Sequence, residues 1–524
     1  MPSRPLLFLT AALSLAFAGT SVAQKKNQET KEEAPPSAED ARKAAELLKL
    51  PNLVLIIADD MAWDDLSPAG HASIMTPNLQ RLAGEGMRFD RAFLTASSCS
   101  PSRASIITGR YPHQTDAEEL HWPLPASQTT FVELLKEKGY WTGAAGKWHL
   151  GEAIKDRFHV VKDVDASGFQ LPSGEAGKSG NFEESLVGDA QSGCEDWIPL
   201  MREREPGKPF FLWLAALDPH RPYHDAILEE GSRPEEIRLP PYHPDTPAVR
   251  ADYQLYYDEI TRLDHYVGEV LDELDAQGIA ENTLVLFISD NGRPFPRDKT
   301  TLYDSGIRTP WIVRWPARVA EGTVCERLVS SVDIGRTFLS LAKIEKPGAT
   351  FEGVDFSPLL TDPDKPIREY VFAEKNWHDY EDHARGVRNE RYKYILNSYE
   401  DLPLTPPADV VRCPTYVELI RLREKGALTP AQEICFNTPR PKEELFDTKL
   451  DPFELKNLAA DERYSPLLTA MRAALADWEN KTEDSVPELR TADEFDRATG
   501  LPTPERVRPR LSKKEMVEKG LVAP

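Results

Sequence analysis

Carboxylate and amide side chains follow two apolar runs that have the composition of buried strands. Asp59 and Asp60 come directly after one run, and Asp290 and Asn291 come directly after another. Oxygen atoms of these types are the ligands that hard divalent cations prefer, and they suit calcium better than zinc. Adjacent aspartates after a strand are also common as turn formers or helix caps. The two pairs therefore predict a calcium site if the fold brings them together.

Basic side chains follow two further apolar runs. Lys147 and His149 come after one of them, and His220 comes after the other. Because ligands of open α/β sheets gather beyond the carboxyl ends of the strands, we expect these side chains to converge with the carboxylates. Single histidines are usually structural, whereas histidines that converge beside a metal are typical of catalysis. The combination predicts a site for a tetrahedral oxyanion and its leaving group.

A cysteine lies at the start of a predicted helix. Cys99 is followed by Pro101, which suits the first turn of a helix, and a helix N-terminus favours a bound anion. The segment therefore predicts a small nucleophile close to an anion. Taken alone, it fits a capped helix with a buried free cysteine more simply.

The order and spacing of these motifs resemble the formylglycine-dependent (type I) sulfatases of the alkaline phosphatase superfamily. Cys99 opens the family pattern Cys-x-Pro-Ser-Arg, and Thr108-Gly109 follows that pattern's arginine at the expected distance. The likeness extends along most of the chain through these motifs: Asp59-Asp60, Gly146-Lys147-x-His149, Asp218-Pro219-His220, Ser289-Asp290-Asn291-Gly292, Lys299, and Glu444-Leu-Phe-Asp running to Asn457-Leu. It implies an α/β fold of the alkaline-phosphatase type, with a large, mostly parallel central sheet flanked by helices and a smaller C-terminal α+β domain.

The resemblance also implies a nucleophile and a cofactor. A formylglycine-generating maturation enzyme would oxidise Cys99 to formylglycine (3-oxoalanine). One hydroxyl of its hydrate would attack sulfur, and the other would expel sulfate from a hemiacetal-sulfate intermediate, which divides a difficult hydrolysis into easier steps. One calcium ion per chain would be held by Asp59, Asp60, Asp290 and Asn291 with the formylglycine oxygen, and it would lower the nucleophile's pKa.

Five further residues receive roles from the same resemblance. Arg103 would hold the formylglycine, while Lys147 and Lys299 would bind sulfate oxygens. His220 would protonate the leaving group, and His149 would take the proton when the hemiacetal collapses. The chain departs from the family pattern after the second lysine, where Tyr-Asp-Ser-Gly-Ile-Arg at 303–308 replaces the usual Glu-Gly-Gly.

The resemblance implies a sulfated sugar as the substrate. The segments 218–221, 290–296 and 301–303 are similar to the heparan N-sulfatase (sulfamidase) branch, and both an O-sulfate ester and an N-sulfate remain open. Aromatic faces and paired donors suit carbohydrate rings, so candidates for a sugar pocket are His121, Trp122, Arg221, Tyr223, Trp377, His378 and His383. Core packing or surface exposure explains each of these residues nearly as well.

Two other functions remain open. A phosphate monoester or diester hydrolase of the same superfamily would hold a tetrahedral oxyanion with similar ligands, although Cys99 in its maturation motif favours a sulfatase. A non-catalytic polysaccharide-binding relative would leave this cysteine unmodified.

Composition and the N-terminal sequence indicate the kind of partner and the location of the protein. The formal net charge of −23 argues against a nucleic-acid partner, so an anionic substrate needs a local cationic pocket. Residues 1–23 have the basic start, apolar run and small-residue cleavage pattern of a signal peptide, with an uncleaved membrane anchor as the competing interpretation. We therefore expect an exported protein, periplasmic or secreted, that is not an integral membrane protein. Residues 24–49 predict a linker.

The chain of 524 residues is long enough for one large domain and a smaller one. Alternating strand-like and helical runs over 50–365 predict the catalytic domain, with strands at 53–58, 141–145, 210–215 and 284–288 and a helix at 248–277. Residues 366–482 predict the C-terminal α+β domain, with short strands near 370–373, 388–397 and 444–447 and a helix at 465–480. The charged tail 483–524 either wraps the surface or is mobile.

The five cysteines leave at least one without an intramolecular partner. Cys413 and Cys435 lie in one local segment, and a disulfide between them remains open.

Overall fold

A computed structural model describes residues 49–164, 192–223, 227–228, 232–345, 347–348 and 350–503. These described residues belong to one compact unit. The predicted signal peptide, nearly all of the predicted linker and the last part of the predicted tail lie outside them. The domain boundary expected at residue 365 stays a prediction.

The first part of the chain forms a large, mostly parallel sheet. The strands in chain order are β1 (Asn52–Ala58), β2 (Met87–Phe89), β3 (Ala92–Phe93), β4 (Trp141–Gly146), β5 (Val160–Asp163), β6 (Phe210–Ala215), β7 (Thr283–Ser289), β8 (Trp311–Arg314), β9 (Thr323–Cys325) and β10 (Val329–Ser330). Eight of them are ordered β5-β4-β6-β1-β7-β8-β2-β9, and β3 pairs separately with β10. Strand β8 runs antiparallel to both of its neighbours, and the other neighbouring pairs are parallel.

The four strands predicted from sequence are confirmed as the adjacent strands β4, β6, β1 and β7. Each is an almost continuous apolar run, and every residue of each is buried. Such runs are typical of parallel strands that are covered on both faces. Their carboxyl ends therefore lie side by side at one edge of the sheet.

Helices cover the sheet, and an apolar core fills each of its faces. The helices of this part are α1 (Pro77–Gly84), α2 (Cys99–Thr108), α3 (Phe131–Lys138), α4 (Trp197–Glu203), α5 (Pro247–Ala276), α6 (Asp304–Ile307) and α7 (Asp333–Leu341). The predicted long helix is confirmed as α5, and the side chain of its N-cap residue Thr246 accepts the Val249 N–H. One face of the helix is apolar and fully buried, formed by Ile260, Leu263, Val267, Val270, Leu271 and Leu274.

The C-terminal part is built on an antiparallel sheet in the order β11-β12-β13-β14. Its elements are β11 (Val371–Lys375), β12 (Ala384–Arg388), β13 (Tyr392–Asn397), α8 (Ala408–Val411), α9 (Pro414–Glu424), α10 (Pro430–Glu433), β14 (Glu443–Asp447) and α11 (Ser465–Thr482). The strand predicted near 388–397 is present as β13, but it begins only at Tyr392, because a tight turn separates it from β12, which ends at Arg388. The side chain of Asn389 accepts from the backbone N–H groups of Arg391 and Tyr392, which stabilises the turn.

The described part of the predicted tail packs against the protein. Trp377 Nε1 donates to the carbonyl of Ala492 at 3.1 Å, and Glu494 N–H donates to the carbonyl of Asp379 at 2.8 Å. Phe495 is 1% exposed. Up to residue 503 the tail therefore holds the loop that follows β11.

All five cysteines are described, and all are buried free thiols. The possible disulfide between Cys413 and Cys435 is therefore not formed. Cys413 Sγ instead accepts the Tyr416 N–H at the start of α9.

No helix among the described residues is long and apolar enough to cross a membrane.

The end of β4 requires a glycine, which gives a test of the fold. Gly146 has φ +93°, and a Cβ there would lie 1.7 Å from the carbonyl oxygen of Ala215. We expect Gly146→Ala to lower the free energy of unfolding by about 3 kcal/mol or more, because the backbone oxygen cannot move aside. The measurement is denaturant unfolding of the purified variant.

Gly207 provides the matched control. Its φ is +79°, but a Cβ there meets no atom within 4 Å. Gly207→Ala should cost only the left-handed backbone strain, about 1 kcal/mol. Equal losses in the two variants would contradict the proposed close approach of β4 and β6.

Candidate active site

The site lies where the four adjacent central strands end. Asp59 N–H, directly after β1, donates to the carbonyl of Asp218 after β6 at 2.9 Å. Asp60 N–H donates to Asp290 Oδ1, after β7, at 3.3 Å. Asp60 has φ +71°, a conformation that non-glycine residues adopt rarely and often at functional sites. The contact between Asp60 and Asp290 brings the two predicted pairs together, and the contact of Asp59 joins them to the end of β6.

Carboxylates and the cysteine converge at this edge. Cys99 Sγ lies 3.6 Å from Asp59 Oδ1 and 4.0 Å from Asp60 Oδ1. The potential ligand atoms of these three residues and of His220 all lie within 4.8 Å of one another. Asn291 donates through Nδ2 to Asp60, and its Oδ1 is buried without a hydrogen-bond partner among the described residues. An unpaired buried oxygen beside buried carboxylates fits a hard cation.

The buried negative charge is balanced by three basic side chains. Lys147 Nζ donates to Asp59, Lys299 Nζ donates to Asp60 at 2.7 Å, and Arg103 Nε donates to Asp290 at 2.8 Å. Each of the three buried carboxylates therefore has its own cationic partner.

Burial is the dominant electrostatic effect in the acidic cluster. Asp60 and Asp290 are fully buried, and burial raises the pKa of both carboxyl groups. Like charge adds to this effect, since Asp59 also raises each pKa, while the neighbouring cations partly oppose it. A carboxylate cluster of this kind gains stability from a bound cation.

Cys99 is the first residue of α2, after the N-cap Ser98, and the helix ends at Gly109 in the left-handed conformation. The thiol is 2% exposed, and burial raises its pKa well above the ordinary value, although Lys147 and Lys299 oppose the rise. An unmodified cysteine here is therefore a protonated thiol and a poor nucleophile.

Arg103 joins the nucleophile helix to the strand ends. Besides Asp290, its guanidinium donates through Nη1 to the carbonyl of Lys147 at 2.8 Å. Nη2 lies 4.0 Å from Asp59 Oδ1 and has no hydrogen-bond partner among the described residues. This fully buried side chain thus keeps one donor available beside Cys99.

Two histidines complete the set. His220 Nε2 lies 3.7 Å from Asp60 Oδ2, and Nδ1 contacts the carbonyl of Arg221. Burial lowers the pKa of His220 well below its ordinary value, and Lys299 adds to this effect. Burial also lowers the pKa of His149, together with the nearby ring of His121. Both rings are therefore neutral in the substrate-free protein near pH 7.

Lys299, whose downstream sequence departs from the family pattern, reaches the site through its contact with Asp60. The run 303–308 forms α6, and Asp304 in it contacts Lys393 Nζ at 2.5 Å and Arg388 Nη2 at 3.0 Å. The departure from the family pattern thus joins the Lys299 loop to the C-terminal sheet.

The predicted sugar-pocket residues separate into two groups. His378 Nδ1 lies 2.7 Å from Ser98 Oγ, next to the nucleophile, and His121 Nδ1 lies 2.7 Å from His149 Nε2. These two histidines come to the site from distant parts of the chain.

Other predicted sugar-pocket residues have partners elsewhere. Arg221 forms a 2.7 Å ion pair with Asp252 and lies over the ring of Tyr223, and both are at most 7% exposed. His383 Nδ1 lies 2.8 Å from Ser398 Oγ in the C-terminal part, and its ring is buried. Their described contacts are those of packed structural residues.

Sequence reasoning missed Ser97 and Thr300. The backbone N–H of Thr300 donates to both the carbonyl and the side chain of Ser97 at 3.0 Å, which fixes the Lys299 loop against the start of α2. Thr300 has φ +66°. A threonine carries no sequence signal for this conformation, so only the structure shows the contact.

Comparison with known proteins places this site in a family. The sulfatase family profile matches residues 51–344, and the profile described as N-sulphoglucosamine sulphohydrolase, C-terminal, matches residues 295–406. The second match agrees with the predicted likeness to the sulfamidase branch.

Individual relatives agree with these matches. An ulvan-active sulfatase of Formosa agariphila is 32% identical over 82% of this chain and 74% of its own length. Human N-sulphoglucosamine sulphohydrolase is 29% identical over 83% of this chain and 90% of its own length. A solved protein in complex with its substrate D-glucosamine-2-N,6-O-disulfate has the same fold, with a TM-score of 0.63 at 19% identity over 84% of this chain and 99% of that chain. Since the sulfatase profile alone covers more than half of its residues, the chain belongs to the sulfatase family.

Proposed function

We propose that this sulfatase removes a sulfate group from a sulfated carbohydrate, with formylglycine made from Cys99 as the nucleophile and with calcium as the cofactor. The observation that carries this proposal is the position of Cys99, within 4.0 Å of two buried carboxylates at the start of a buried helix. A protonated thiol is a poor nucleophile there, whereas the hydrate of an aldehyde offers two hydroxyl groups.

The donor set fits calcium. Asp59, Asp60, Asp290 and Asn291 would hold the ion with the oxygen of the modified Cys99, since they provide carboxylate oxygens and one unpaired amide oxygen. When bound, calcium would supply positive charge that favours the ionised nucleophile and neutralises sulfate.

The basic residues would orient the sulfate. Lys147 contacts Asp59, and Lys299 contacts Asp60. Once a cation neutralises these two carboxylates, the ammonium groups of both lysines can bind an incoming anion. Arg103 would hold the nucleophile with its remaining donor.

His220 and His149 would carry out the proton transfers. His220 would protonate the departing sugar oxygen or nitrogen, because the negative charge of bound sulfate would raise its pKa from the low value set by burial and Lys299. His149 would take the proton of the second hydroxyl, which lets the hemiacetal collapse to the aldehyde and release sulfate.

The substrate class is inferred from the relatives. One acts on ulvan, and another is named for N-sulphoglucosamine, so the candidates are O-sulfated and N-sulfated sugars. The signal-peptide pattern supports export to the periplasm or the medium and an encounter with a formylglycine-generating maturation enzyme.

The first test concerns the nucleophile. We expect mass spectrometry of the Cys99 peptide, from protein made with its maturation enzyme, to show formylglycine, and thiol titration of the unfolded chain to find one thiol fewer than five. Cys99→Ala should lose all measurable turnover and keep the wild-type melting temperature within a few degrees, because only one small side chain is removed.

The same protein samples test the substrate class and the two alternative functions. Sulfate release is measured from O-sulfated ulvan and heparan oligosaccharides and from N-sulfoglucosamine, with Cys99→Ala as the blank. An unmodified thiol with no release from any glycan would support a non-catalytic binding protein. Faster hydrolysis of phosphate esters than of all sulfates would support the phosphate-ester alternative.

The second test concerns the metal. We expect calcium at 100 times its Kd to stabilise the chelated protein by about 2.7 kcal/mol, which thermal unfolding detects. Asp60→Asn should stay folded and lose this stabilisation, because it removes one charge from the ligand set. Asp258→Asn is the control and should respond like the wild type, because Asp258 is also a buried carboxylate but lies on α5, accepts the Ser232 N–H and is outside the ligand set. A wild-type protein that calcium does not stabilise would contradict the proposed cofactor.

The third test concerns the leaving group. His220→Ala should lower kcat/KM by about 10²–10⁴-fold for alkyl or sugar sulfates, which need a proton, and much less for an activated aryl sulfate, which leaves unprotonated. Steady-state kinetics on both substrates provide the measurement. His149→Ala is the matched control: because the proposed base acts only after sulfur transfer, kcat/KM for both substrates should stay near the wild-type value. An equal loss for both substrates in His220→Ala would rule out its role as the acid.

A further inference from the structure

The rings of His121 and His149 form a contact that the catalytic roles above do not use. His121 Nδ1 lies 2.7 Å from His149 Nε2, with ring centroids 4.8 Å apart and planes inclined at 38°. We propose that His121 is a positioning residue that holds His149 in the one tautomer able to act as the base. This inference rests on the proposed function, because it assigns a partner to the proposed base.

The two nitrogens of His149 have different surroundings. Nε2 is engaged by His121, whereas Nδ1 is buried without a hydrogen-bond partner among the described residues. A buried ring nitrogen without a partner is costly unless a ligand or a reacting group meets it. In this proposal, Nδ1 is therefore the nitrogen that accepts the proton of the reacting hydroxyl.

A hydrogen bond between two neutral imidazoles needs one donor and one acceptor. For Nδ1 of His149 to accept a proton, the resting proton of that ring must be on Nε2. His149 then donates through Nε2–H to Nδ1 of His121, which carries its own proton on Nε2. A hydrogen bond in this direction, from His149 to His121, fixes the tautomer in which Nδ1 of His149 can accept a proton.

The backbone holds His121 for this task. Its N–H donates to Ser100 Oγ at 2.8 Å, so the ring is tied to the residue that follows the nucleophile. Both histidines have left-handed backbones, with φ +63° for His121 and +56° for His149. Strained conformations at two facing residues persist only when the surrounding structure enforces them.

The contact acts on the second half of the reaction. In the hemiacetal sulfate, the free hydroxyl gives its proton to His149 Nδ1, its electron pair forms the aldehyde C=O bond, and the carbon–oxygen bond to sulfate breaks. Sulfate leaves with the electron pair of the broken carbon–oxygen bond. The resulting imidazolium of His149 keeps its Nε2–H bond to His121, which stabilises the positive charge. Sulfur transfer to the nucleophile, by contrast, does not use this base.

The test separates these two steps. His121→Ala should lower kcat by about 10–100-fold, the usual effect of losing a residue that orients a functional histidine. Because only the second step slows, kcat/KM should stay near the wild-type value. The peptide that carries the hemiacetal sulfate at position 99, called the sulfated peptide, should accumulate during turnover and appear by mass spectrometry after a rapid acid quench.

His121→Asn is the conservative variant. Asparagine tolerates a left-handed backbone, and its Oδ1 can accept a hydrogen bond from a position close to that of the histidine Nδ1. We expect this variant to recover most of the kcat lost in His121→Ala and to accumulate less sulfated peptide. It also keeps the proposal testable if the alanine variant folds poorly.

Other outcomes would overturn the inference. A fall in kcat/KM without sulfated peptide would make His121 a substrate-contact residue instead, and wild-type kinetics in His121→Ala would remove any role. The wild-type enzyme distinguishes this failure from failure of the proposed function. If wild-type Cys99 is modified and turns over, only the role of His121 is lost, whereas an unmodified wild-type Cys99 overturns the function itself.

Discussion

The structure depends on three carboxylates held together away from water. Asp59, Asp60 and Asp290 lie fully buried at the ends of two neighbouring strands, where mutual repulsion and loss of hydration oppose their charge. The fold offsets this cost by bringing a separate cation to each of them. Under the proposed function, a divalent cation and an anionic substrate together would neutralise the charges on both sides and offset this cost.

This charge balance explains why distant segments are tied to the strand ends. Thr300 fixes the loop of one cation against Ser97 at the nucleophile helix, and Asp304 secures the same loop to the C-terminal sheet through Lys393. The tail does the same for the loop after β11, since Glu494 pairs with the backbone of Asp379. The C-terminal part therefore serves the site by holding loops in place as well as by adding its own side chains.

Burial also decides which groups can react. Burial raises the pKa of the Cys99 thiol and lowers the pKa of His149 and His220, so these three groups are uncharged in the substrate-free site near pH 7. Chemistry in such a site needs charge brought by ligands or by modification. The proposed formylglycine, calcium and sulfate each supply part of that charge, and the contact between His121 and His149 directs where one proton goes.

The sequence by itself determined the central strands, the long helix α5 and the residues at the strand ends, because continuous apolar runs and short motifs are local signals that a buried sheet requires. Only the tertiary structure decided which candidates meet. Arg221 and His378 were equal candidates, yet Arg221 pairs with Asp252 in the packed interior, whereas His378 reaches Ser98 across 280 positions of chain. Such contacts depend on long-range packing and left no pattern in the residues near either partner.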